Sequence, residues 1–134
     1  MAAAVFRIAA LALLSTGCTS IAADQRTFED TTWRVMAVDG RATPPSGDYS
    51  MRFTGRDLGA RFGCNHIGGR YHVAGETLTA TEVRSTLMGC PEPASTFERD
   101  GLAVLGSPMR ISWGSGNRLM LSNAAGSISL QRTG

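Results

Sequence analysis

A chain of 134 residues, 43% hydrophobic and 18% charged, is sized for one domain with a genuine core, which excludes intrinsic disorder. Its formal net charge of +2 leaves no electrostatic footprint for nucleic acid. Sixteen glycines and five prolines, with no long amphipathic period, argue against a helical bundle. All thirteen basic residues are arginine, which reads as codon bias rather than a demand for guanidinium groups.

Residues 1–17, MAAAVFRIAALALLSTG, place one cation, Arg7, before an apolar block at 8–14 and then small residues. That order is a secretory signal. The block is far shorter than the roughly 20 residues that cross a bilayer as a helix, and no membrane span is expected. Leu14-Ser15-Thr16-Gly17-Cys18 resembles a bacterial lipoprotein signal, with Cys18 as the lipidated N-terminus. The family more often has its Leu one place nearer the Cys, and Ile21-Ala22-Ala23 offers a second exit that would release a soluble periplasmic protein. Residues 18–30 then form the lipidated N-terminus and a flexible polar tether. Thr19 is not the Asp that retains lipoproteins in an inner membrane, so the expected address is the outer membrane, facing the periplasm.

The folded domain is expected over residues 31–133. Segments 32–38, 49–53, 58–62, 70–73 and 78–83 alternate apolar and polar residues as half-buried strands do. Asp39-Gly40 marks a hairpin turn, and Gly68-Gly69 reads as a second turn between strands. Ser95-Thr96-Phe97-Glu98 fits a capping box at the start of a helix over about 96–105, weakened by Gly101 and ended near Gly106. Segments 109–113, 118–122 and 127–132 close the chain as a meander. About eight short strands and one helix describe an α+β, mostly antiparallel fold: a curled sheet or cracked barrel with the helix packed on it.

Three features combine. Trp33 lies in the first strand, Gly63-Cys64-Asn65 precedes Gly69 and Tyr71, and Thr86-Leu87-Met88-Gly89-Cys90 precedes the helix. Together with the lipoprotein signal, they resemble the META domain of the HslJ-like bacterial envelope lipoproteins, over nearly all of the chain after the signal. One departure is Gly101, where an aromatic residue would be expected to pack the helix onto the sheet. The resemblance implies links to heat shock, drug tolerance, secretion or motility, and no catalytic mechanism. It also implies a likeness to the cracked barrel of secretin pilot lipoproteins, which hold lipid in a groove. Such fold analogy does not fix function.

With Cys18 lipidated, Cys64 and Cys90 remain as an even pair in an exported domain, and a structural disulfide is expected. Their spacing is wrong for a Cys-x-x-Cys redox pair. His66 and His72 read as partly exposed strand or loop residues, and no metal or other cofactor is expected. Asn65 is assigned to holding a turn. Glu76, Glu82, Glu92 and Glu98 show no paired spacing and default to solvated surface. Neither nucleophile-elbow, zinc-protease nor phosphate-loop motifs occur, and an enzyme is not expected. Trp33, Phe53, Phe62, Tyr71, Leu119 and Leu121 are expected in the core. Met36, Met51, Met88, Met109 and Met120 either fill the core or line an adaptable groove. The expected function is a stress-related module that binds or stabilises other envelope proteins. The alternative is a carrier or sensor for a small apolar, lipid-like ligand.

Overall fold

A computed structural model describes residues 25–134. The expected signal sequence, Cys18 and Ala23 lie outside the described residues. A single turn of helix, α1 (Gln25–Phe28), leads into β1 (Thr31–Val38), β2 (Arg41–Ala42), β3 (Tyr49–Thr54), β4 (Asp57–Phe62), β5 (His66–Ala74) and β6 (Thr77–Ser85). Helix α2 (Ala94–Leu105) follows, then β7 (Met109–Trp113), β8 (Arg118–Asn123) and β9 (Gly126–Arg132). Every pairing is antiparallel, and β1 pairs with both β3 and β9, so eight strands close into a barrel with β2 as a short flap on β1. The seam between β6 and β7 is narrow: Thr77 faces Arg110, Leu78 faces Met109, and the Ile111 amide donates to the Glu76 carbonyl at 2.7 Å.

Period-two alternation builds the wall because successive side chains in a strand point to opposite faces. Met51, Phe53, Leu58, Ala60, Phe62, Ile67, Tyr71 and Val73 point inward and are buried, as are Leu119, Leu121, Ile128 and Leu130. Asp39-Gly40 makes the expected two-residue hairpin, with Val38 opposite Arg41 and both turn residues at positive φ. The two helices close the ends. Phe28 seals the Phe53 end against Trp33, Phe53 and Tyr71. At the Tyr49 end, α2 buries Phe97, Gly101, Val104 and Leu105.

Four expectations need correction. The tether ends earlier than residue 30, because Phe28 is fully buried and belongs to the core. Gly68-Gly69 is not a turn. Strand β5 runs through it, and the reversal lies at Gly63-Cys64-Asn65. These glycines answer a close approach instead: β6 bulges opposite Gly69, and a Cβ there would meet the Thr81 carbonyl oxygen at 2.9 Å. The capping box does not form. Helix α2 starts at Ala94 without a side-chain cap, and Ser95 and Thr96 donate their hydroxyls to Glu92. Those bonds, Ser95 first, hold the Glu92 carboxyl below its usual pKa.

The fourth correction is Gly101, which strengthens the helix contact. A Cβ on Gly101 would lie 2.5 Å from the Phe62 ring, so the aromatic partner comes from the sheet and the helix supplies its room. Gly101→Ala should gain about 1 kcal/mol in helix propensity. It should lose about 1–3 kcal/mol by overpacking against a fully buried ring. The net expectation is destabilisation, read as a lower urea midpoint at unchanged slope.

Candidate functional site

Of the motif residues, Gly63, Cys64, Asn65, Thr86 and Cys90 converge on the reversal between β4 and β5. Gly63 has φ +95°, and a Cβ there would meet the Tyr49 hydroxyl at 2.5 Å, so only glycine turns the chain there. Burial raises the pKa of that Tyr49 phenol. Cys64 is disulfide-bonded to Cys90, with the Cα atoms 5.9 Å apart. Asn65 between them is 4% exposed.

Both polar atoms of the Asn65 side chain are used. Its Nδ2 donates to the Met88 carbonyl at 3.1 Å and to Glu98 Oε2 at 2.8 Å. Its Oδ1 accepts from Thr86 Oγ1 at 2.9 Å and from the Met88 amide at 2.7 Å. Its backbone amide donates to Glu98 Oε1 at 2.9 Å. The side chain therefore binds both backbone groups of Met88, much as a neighbouring strand would. Asn suits this place because its amide supplies two donors and two acceptor lone pairs at once.

Thr86 closes the frame. Its hydroxyl accepts from the His66 amide at 3.0 Å, and its own amide donates to the His66 carbonyl at 3.0 Å. Loop 86–90 is thus fixed by a covalent bond at one end, a two-way bond to His66 at the other, and Asn65 in the middle. Held this way, the loop leaves Leu87 96% and Met88 60% exposed. Val83, nearby in the chain on β6, is also exposed. From residue 79 to 85, the second edge of β6 faces no strand partner among the described residues.

Isolated exposed apolar residues are common and uninformative. This tip is informative because buried polar groups and a disulfide immobilise an apolar display instead of hiding it. The two cysteines are bonded to each other, and the carboxylate of Glu98 is taken up by Asn65.

The remaining motif residues serve the barrel. Trp33 is buried, and its Nε1 donates to Thr31 Oγ1 at 2.8 Å. Tyr71 donates its hydroxyl to the Gly55 carbonyl at 2.8 Å and meets Phe53 edge-on. His66 and His72 share the outer face of β5, contrary to the expectation of a turn between them. Six residues of extended strand put them about 20 Å apart. Arg61 Nε donates to His66 Nδ1 at 3.2 Å. Of the methionines, Met51 and Met109 are core, whereas Met36, Met88 and Met120 reach the surface. Glu98 was missed by sequence reasoning, because the capping-box pattern assigned it to the helix start; it lies 33 residues from its partner, and no local signal points there.

A family model described as META domain matches residues 26–133. No curated protein matches the chain. Two structures solved by NMR are similar in fold. One superposes with a TM-score of 0.69 at 16% identity, covering 79% of this chain and 92% of its own. The other, from Burkholderia xenovorans, gives a TM-score of 0.66 at 20% identity, covering 81% of this chain and 85% of its own.

Proposed function

The chain belongs to the META domain family, and from that premise we propose that it is a non-enzymatic envelope lipoprotein whose locked loop 86–90 binds another envelope protein. The observation that carries the reading is the near-complete exposure of Leu87 on a loop that Asn65 and the disulfide hold still. A preordered tip loses little conformational freedom on binding, so more of its contact energy survives as affinity. A protein fits better than a small molecule because the tip continues from residues 79–85 of β6, an edge with no strand partner among the described residues, whose amides and carbonyls match another polypeptide backbone. The bulge at Glu82, which has φ +53°, twists that edge and guards it against indiscriminate pairing.

Export follows from the signal sequence, and the disulfide is consistent with an oxidising compartment. Attachment through Cys18 would place the domain at the outer membrane, facing the periplasm. A stress-related role extends the same reading, since a binding module of this kind can steady partners that are partly unfolded. A lipid-like ligand inside the barrel is the weaker alternative. Trp33, Phe53, Phe62, Met51 and Leu130 occupy that interior, each at most 1% exposed, and a guest would have to displace them.

Leu87→Ser combined with Met88→Ser should leave the melting temperature within a degree or two, since exposed sites seldom move stability by more than about 0.5 kcal/mol. The same variant should lose the adducts that chemical crosslinking and mass spectrometry recover from intact cells with wild type. Recovery of wild type only as an unpartnered monomer would contradict the proposal.

A further inference from the structure

We propose that the outer wall formed by β1, β7, β8 and β9 is a membrane-seating surface that rests on anionic lipid when the protein is anchored. This inference rests on the lipoprotein reading of Cys18 and adds to it a defined face and orientation. Met36 at 39% and Met120 at 41% exposure stand out of that wall, and Trp113, 49% exposed where β7 ends in register with the buried Leu119, borders them from the barrel rim. A register shift between Val35 and Ala37 turns Met36 outward, and Met120 lies across β9 from it, opposite Ser129. With Ser112, Arg118 and Leu119 they line a shallow groove of about 410 Å³.

Charge supports lipid as the occupant. These four strands carry Arg34, Arg110, Arg118 and Arg132 and not one carboxylate. Arg118 lines the groove itself, and an arginine beside a Trp and Met patch matches a bilayer interface, where aromatic rings sit at headgroup level and cations meet anionic phosphates.

Chain geometry points the same way. Trp113 is in ring contact with Phe28, at 5.7 Å between centroids, and Phe28 ends the helix through which the chain enters the barrel. Phe28 lies only ten positions after Cys18, a span of about 35 Å at full extension. An acylated Cys18 therefore keeps this wall within reach of the bilayer and raises its effective concentration there. A second copy of the chain fits less well. The three side chains present on the order of 250 Å² of apolar surface, against about 800 Å² per partner in a stable interface.

The test uses the full lipidated chain reconstituted with vesicles of phosphatidylethanolamine and phosphatidylglycerol, with bromine at shallow acyl positions as quencher. Flotation reports anchoring, and tryptophan emission reports seating. Trp113 should be quenched, while Trp33, 1% exposed in the core, should not. Trp113→Phe should float normally and show no quenching. Met36→Ser with Met120→Ser should float but lose most of the quenching, and replacing phosphatidylglycerol with phosphatidylcholine should weaken it. Flotation with an unquenched Trp113 would overturn the seating surface and leave the anchor standing. Failure to float would overturn the anchor, and the inference with it. A vesicle-independent dimer that shields Trp113 would assign the wall to a protein contact and also overturn the proposal.

Discussion

Cys64→Ser and Cys90→Ser are each expected to lower stability by about 3–4 kcal/mol, the chain-entropy value for a closed loop of this length. Loop 86–90 loses its covalent end in either variant, and the unfolded chain regains the freedom that the bond removed. The double variant should be no worse than either single one, because all three break one bond. Denaturant titrations of the four proteins under oxidising conditions check this. Additive losses would mean that the cysteines act separately.

Asn65→Ala is expected to cost on the order of 3 kcal/mol, because it strips hydrogen-bond partners from the Met88 backbone, the Thr86 hydroxyl and Glu98 together. Asn65→Asp should be worse near neutral pH. The introduced carboxylate cannot donate to the Met88 carbonyl, and it stands against the Glu98 carboxylate. Like charges raise the folded-state pKa of such a pair above its unfolded value. The folded variant then binds more protons than the unfolded one, so its deficit should shrink as pH falls from 7 toward 4. Melting temperatures of wild type and both variants across that range decide it. A pH-independent deficit in Asn65→Asp would mean that Glu98 is not the partner in solution.

Much of the barrel was legible in the sequence because most of its strands alternate over the greater part of their length. The segment at 109–113 coincides with β7, and the others agree within a few residues, since one buried face imposes a two-residue period that side chains cannot hide. Glycine defeated the same reasoning at Gly68-Gly69. A glycine pair suits a turn and a crowded strand equally, and only the β6 bulge distinguishes them. Phe28 was hidden for a different reason: one aromatic residue in a polar stretch has no period, and its burial depends on the open end of a barrel not yet assembled. At the candidate site, the cysteine pair, Asn65 and Thr86 were visible as a motif. The role of Asn65 was not, because a turn-forming residue and a fully satisfied hub look the same from one chain. Glu98 and Gly101 reach their partners only once α2 lies across the barrel end, bringing together residues 33 positions apart in the first case and a helix and strand in the second.

The proposal that the locked tip is the recognition surface is tested most directly by a photo-crosslinking amino acid placed at Leu87 in intact cells, with an otherwise equivalent probe at Arg52 on the outer face of β3 as control. The predicted result is a discrete higher-mass adduct from position 87, absent from position 52 and lost when Asn65→Ala is added. An unmodified protein at position 87, or the same adducts from both positions, would contradict it.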